Sequence, residues 1–295
     1  MKKTLFTGAG VAIVTPFNED KSVNFDSLAK MIDFQIENGT DAIIICGTTG
    51  EASTLTDDEQ VETIRFTAEH TKKRVPVIAG AGSNDTAHCI NLAKRCESAG
   101  VDGLLMVTPY YNKTTQRGLV KYYSTIASNV DIPIIMYSVA GRTGLNIAPD
   151  TVKELSKIEN IVALKEASGN LSQVATIAAE CGDDIDIYSG NDDQILPVLS
   201  LGGKGVISVL SNVAPKDTHD MVTKFLSGDI KGAKEIQLKA IELISALFCE
   251  VNPIPVTAAL NMMGMNAGGY REPLIELSDE HYKRVETAMK NYGLI

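Results

Sequence analysis

The chain has 295 residues, 44% of them hydrophobic and 22% charged, with 24 glycines. That composition buries a sizeable core and excludes disordered, collagen-like and solenoid chains. Lys and Arg number 27 against 37 Asp and Glu, a net charge of −10, which argues against nucleic acid or an anionic membrane as partner, because both are gripped through basic patches.

From the N-terminus, Met1-Lys2-Lys3-Thr4-Leu5-Phe6 lacks the apolar stretch and cleavage site of a signal peptide, and no pure apolar run approaches the roughly 20 residues of a membrane span. The reading is a cytoplasmic protein. Eight short apolar runs then follow, each predicted to be a strand buried on both faces. They are Val11–Val14, Ala42–Ile45, Val75–Ile78, Leu104–Val107, Ile132–Tyr137, Ile161–Leu164, Ile185–Tyr188 and Val206–Val209. Between them lie amphipathic helices, the first ending at Asn38-Gly39, the second opened by a capping box, Thr56-x-x-Glu59. Eight strand–helix units in about 230 residues fit a closed (β/α)8 barrel better than an open sheet. The dinucleotide fingerprint of the open sheet is also missing, since Gly8-Ala9-Gly10 and Gly80-Ala81-Gly82 lack the third glycine.

After Val209 the segments around Met221–Leu226, Ala233–Phe248, Val256–Met263 and Glu280–Tyr292 read as helices. The Ser227-Gly228-Asp229 turn divides a catalytic barrel, residues 1–228, from a C-terminal helical extension, residues 229–295, with no low-complexity linker between them. Cys46, Cys89, Cys96, Cys181 and Cys249 are odd in number and form no C-x-x-C pair, so they read as buried free thiols. The four histidines make no metal motif.

In such a barrel the chemistry lies where strands end. Gly47-Thr48-Thr49-Gly50-Glu51 can hold a small anion on hydroxyls and backbone N–H groups, although turn chemistry alone explains it as well. Thr108-Pro109-Tyr110-Tyr111 and Tyr137 place phenols at strand ends, where they either pack or relay protons with hydroxyl partners. Arg142 offers a forked donor for a carboxylate; alone, it would read as a surface ion pair. Lys165 gives the sharpest signal. It directly continues Ile161–Leu164, and a lysine there is costly unless it has a role or snorkels outward. Desolvation and a cation such as Arg142 would lower its pKa and supply the neutral amine that attacks a carbonyl.

Together these motifs resemble those of the dihydrodipicolinate synthase family, within the N-acetylneuraminate lyase and pyruvate aldolase superfamily. The likeness extends through Ser189-Gly190-Asn191-Asp192, Gly205-Val206-Ile207-Ser208 and Asn252-Pro253-Ile254-Pro255-Val256, in family order and spacing. It implies a lyase that condenses pyruvate with L-aspartate 4-semialdehyde by a class I aldolase route, early in diaminopimelate and lysine biosynthesis, with no metal or dissociable cofactor. On this resemblance Lys165 forms the Schiff base, and Thr49, Gly190 and the backbone around Ile207 hold pyruvate. Tyr137, Thr48 and Tyr111 form a proton relay, Tyr111 crossing a subunit interface, and Arg142 binds the semialdehyde carboxylate. The implied assembly is a homo-oligomer, a dimer or a dimer of dimers.

Two departures matter. The family's Tyr-Asn-Val-Pro-x-Arg-Thr-Gly is here Tyr137-Ser138-Val139-Ala140-Gly141-Arg142-Thr143-Gly144, which predicts a looser loop around Arg142. In lysine-inhibited members a cleft near Asn84 and Tyr110 carries two histidines and a glutamate; here Asp57, Gln60 and His88 take those positions, so weak or no inhibition by L-lysine is expected. The competing readings are another pyruvate-type aldolase, such as an N-acetylneuraminate or keto-deoxy sugar acid lyase, and a non-catalytic ligand-binding barrel.

Overall fold

A computed structural model describes residues 2–295. Eight parallel strands close into a barrel in sequence order. They are β1 (Gly8–Ala12), β2 (Ala42–Ile45), β3 (Val77–Gly80), β4 (Gly103–Val107), β5 (Ile134–Ser138), β6 (Ile161–Glu166), β7 (Asp186–Ser189) and β8 (Gly205–Ser208). Side chains alternate across each strand. Ala12, Ile44, Ile78, Leu105, Ile135, Tyr137, Ala163, Tyr188 and Ile207 fill the interior, while Ile43, Ile45, Leu104, Met106, Ile134, Met136 and Leu164 pack outward against the helices. The same alternation turns Lys165 inward, two residues beyond Ala163.

Helices follow the strands: α1 (Phe25–Glu37), α2 (Asp57–Thr71), α3 (Thr86–Ser98), α4 (Gln116–Ala127), the single turn α5 (Ala140–Thr143), α6 (Pro149–Leu155), α7 (Leu171–Cys181), α8 (Ile195–Ser200) and α9 (Pro215–Leu226). The capping box forms as expected, Thr56 and Glu59 each satisfying the other's backbone N–H at the start of α2. The first helix ends at Asn38.

Two strands sit away from their apolar runs. The first begins at Gly8 rather than Val11, and the third covers Val77–Gly80 rather than Val75–Ile78. Pairing decides both, through Gly8 with Gly205 and Gly80 with Leu105; glycine carries no side chain from which a strand can be read. The sixth strand runs two residues past Leu164, taking in Lys165 and Glu166.

The remaining helices are α10 (Ile230–Leu247), α11 (Ile254–Met262) and α12 (Asp279–Tyr292). Ser227 caps α9, and Asp229 caps α10 by accepting from Gly232 N. Leu243, Leu247, Val256 and Val285 from this extension join one apolar cluster with barrel residues. The extension also touches the catalytic face. Gln237 Nε2 donates to Asp192 O at 2.9 Å, Asn252 Nδ2 to Thr49 Oγ1 at 3.0 Å, and Arg271 N to Glu51 Oε2 at 3.3 Å. No described helix is long and apolar enough to cross a membrane.

Candidate active site

Lys165 stands across from Tyr137 on β5 and Tyr188 on β7. It is 6% exposed, and its Nζ lies 4.4 Å from the centroid of the Tyr137 ring. Burial brings its pKa down to about 8; the Asp192 carboxylate pulls it back up and the Arg142 charge presses it further down. About a tenth of the lysine is then the free amine at pH 7, against less than about a thousandth at the ordinary value near 10.4. Space for the chain depends on Gly190. A Cβ there would stand 2.6 Å from Ala167 Cβ and 3.1 Å from Lys165 Cε.

The cavity over the lysine, about 70 Å³, is walled by Thr48, Thr49, Tyr137, Arg142, Gly190 and Asn252, among others. Burial raises the Tyr137 phenol, while the Arg142 charge and a bond from the Thr48 hydroxyl act the other way. Thr48 is exposed at the cavity wall and Thr49 is buried. A wider space of about 410 Å³ shares Thr48, Tyr137 and Arg142 and runs on to Tyr110, Asp57 and His88. Ile207 is fully buried in the barrel interior opposite Gly10. The structure therefore gathers Lys165, Tyr137, Thr48, Thr49, Arg142 and Gly190 around one space. Tyr111 stays apart: it is 91% exposed and does not border either space within its own chain.

The Arg142 loop is firmer than its sequence suggested. Without proline the turn still closes helically, with Arg142 N and Thr143 N donating to Val139 O and Gly144 N to Ala140 O, all at 2.9 to 3.1 Å. Gly144 ends it in the left-handed region, φ +68°. Thr108 Oγ1 bonds Thr143 Oγ1 at 3.1 Å. Ser138 Oγ accepts from Ile147 N and donates to Asn146 Oδ1, each at 3.1 Å. Arg142 Nη2 donates to Asn252 O at 3.2 Å.

Two participants escaped the residue-level reading. Asp192 is buried, with Oδ2 accepting from Val209 N at 3.0 Å and Leu210 N at 2.8 Å; it is the carboxylate acting on Lys165. Asn252 links Thr49 to Arg142. Their motifs were visible, but only folding brings β7, β8 and the C-terminal segment to the lysine.

A buried, partly neutral lysine on the last residues of a barrel strand, beside a phenol and a guanidinium, defines a lyase of the Schiff-base aldolase type. The Dihydrodipicolinate synthetase family model matches residues 5–292, and the chain belongs to that family. The 4-hydroxy-tetrahydrodipicolinate synthase of Lachnoclostridium phytofermentans is 58% identical over 292 residues, covering 99% of both chains. That of Acetivibrio thermocellus is 54% identical over 295 residues, covering 100% of each. A crystal structure of the chloride-inhibited dihydrodipicolinate synthase from Acinetobacter baumannii complexed with pyruvate matches with a TM-score of 0.97 at 40% identity, over 99% of this chain and 100% of that one.

Proposed function

We propose that the chain condenses pyruvate with L-aspartate 4-semialdehyde to 4-hydroxy-tetrahydrodipicolinate, the step its relatives are named for. The observation that carries the mechanism is Lys165, buried with its pKa at about 8 against the face of Tyr137. Its neutral Nζ attacks C2 of pyruvate, water leaves, and the protonated imine draws electrons so that C3 loses a proton to give an enamine. The enamine carbon attacks the aldehyde, whose oxygen takes up a proton to become the 4-hydroxyl, and the imine to Lys165 re-forms. The amino group of the semialdehyde then adds to that imine carbon, closing the ring, and the Lys165 amine leaves, freeing the enzyme. Tyr137 and Thr48 pass the protons, with Tyr111 completing the relay from a second copy of the chain, since its own copy leaves it in solvent. Arg142 pairs with the semialdehyde carboxylate, and Thr49, Gly190 and the backbone at Ile207 hold pyruvate. Residues 1–228 supply this chemistry, and the 229–295 extension buttresses it through Gln237, Asn252 and Arg271. The five free cysteines fit the reducing cytoplasm, and Tyr111, left in solvent by its own copy, fits a homo-oligomer, a dimer or a dimer of dimers.

Borohydride reduction with pyruvate followed by peptide mapping is the test. A reduced adduct on Lys165 is expected, and an adduct elsewhere or none overturns the mechanism. In the same preparation L-aspartate 4-semialdehyde should serve as acceptor where N-acetylmannosamine and sugar-acid aldehydes do not. Sedimentation of a fully active monomer would remove the role given to Tyr111.

A further inference from the structure

Glu51 closes the turn that presents Thr48 and Thr49, yet the chemistry above gives it no task. The residue is 2% exposed and sits at φ +51°, a left-handed conformation that costs a residue with a Cβ about 1 kcal/mol. Its Oε2 accepts one bond, from Arg271 N at 3.3 Å, and its buried Oε1 has no partner. A carboxyl so poorly compensated is expensive to bury. Strained backbone beside reacting groups is where function is to be sought.

The surrounding bonds tie its backbone into the turn and the Arg271 segment beside it. Glu51 N donates to Thr48 O at 3.2 Å, and Glu51 O accepts from Thr54 N at 2.9 Å, so its backbone sets the turn. Arg271 forks onto Glu59 at 2.6 and 2.9 Å and donates to Thr54 O at 2.8 Å, fixing the C-terminal segment beside the same turn. Thr49 is held independently by Asn252.

We propose that Glu51 is a positioning residue of the condensation: its carboxylate draws the turn onto the Arg271 segment and holds the Thr48 hydroxyl in line with Tyr137. This rests on the condensation reading above. Lys21 from the loop after β1, Arg271 and Tyr270 from the C-terminal segment, and Glu59 of α2 behind the guanidinium are the ionisable groups around it. Arg271 bonding holds Glu59 down to about 2, so it stays ionised, and burial pushes Tyr270 up, so it stays neutral. Burial pushes Glu51 up to about 7 against the pull of Arg271 and Lys21, so its holding form grows in as pH rises through neutrality.

Glu51→Gln, the same shape without charge, decides the matter. Measured from roughly pH 6 to pH 9, its kcat should match wild type at the acid end and fall about five- to tenfold behind at the alkaline end. KM for pyruvate should stay within about twofold, because Thr49 keeps its own anchor. The melting temperature should hold or rise. Profiles that coincide, or a deficit equal at every pH, would overturn the proposal. Lys21→Gln, which removes one charge facing the carboxyl, should carry the wild-type limb near 7 to higher pH; a limb that does not move counts against Glu51 equally. Borohydride trapping in the same samples separates the two readings. Wild type that traps no pyruvate refutes the condensation, whereas normal trapping with coincident profiles refutes only the role of Glu51.

Discussion

Two spaces open from the same wall of Thr48, Tyr137 and Arg142, and they treat charge in opposite ways. In the smaller one Lys165 is buried, its counter-charge Asp192 is buried, and burial drives both towards their neutral forms. In the larger one Asp57 and His88 are each about two-fifths exposed and paired at 2.9 Å, while Ser83 Oγ bonds the other ring nitrogen of His88 at 2.9 Å. Gln60 also borders this space, its amide committed to Gly80 O at 2.8 Å. An exposed pair of that kind contributes about 0–1 kcal/mol. Desolvation, more than the presence of ionisable groups, separates the two spaces: it drives the groups of one towards neutrality and leaves the other a polar cleft.

The largest effect should come from the buried side. Lys165→Ala is expected to abolish imine trapping and to lower condensation by about 10⁴-fold or more, measured by mass mapping and a steady-state assay. With the folded pKa at about 8, the trapping rate should climb as pH rises through that value. The stability sign is opposite to that of a salt-bridged lysine. Because the unfolded chain holds the proton more tightly, the buried ammonium costs stability below about 8, and that cost fades as pH approaches the unfolded value near 10.4. Lys165→Met should therefore be inactive and melt higher than wild type at neutral pH, by calorimetry.

Next comes Gly190→Ala, whose methyl meets Ala167 Cβ and Lys165 Cε. Displacing the amine should lower kcat/KM by about ten- to a hundredfold while circular dichroism stays native. Unchanged kinetics would show that the lysine does not need that space. Arg142→Ala should leave trapping with pyruvate nearly intact and raise KM for the semialdehyde by about tenfold; equal loss of trapping would merge two tasks assigned here to separate residues.

The smallest effect belongs to the open cleft. With the Asp57 carboxylate already committed to His88, L-lysine titrated to about 1 mM should change the rate by less than about twofold, since its ammonium would meet no free carboxylate there. Inhibition at submillimolar lysine would break the contrast between the two spaces. His88→Glu, which releases Asp57 and adds a second carboxylate, is the variant expected to gain affinity for lysine.

Much of this was legible in the chain itself. Seven of the eight strands lie on or within two residues of their apolar runs, because a strand buried on both faces is largely apolar. Lys165 stood out for the same reason, as a charge inside such a run. The firmness of the Arg142 loop was not legible, because the bonds that hold it run to Val139, Thr108 and Asn146, none of which announces its partner. Nor was the reach of the extension, whose Gln237, Asn252 and Arg271 touch residues 45 to 220 positions away.

The sequence by itself determined the barrel class, the lysine and its companions at the strand ends, because periodicity and residue chemistry are local properties. Only the tertiary structure decided which way each strand's register fell at its glycines, how far burial moves Lys165 and Glu51, and which residues of the C-terminal extension meet the barrel's strand ends. Those are properties of desolvation and of long-range pairing, which arise only when segments distant in the chain close around one space.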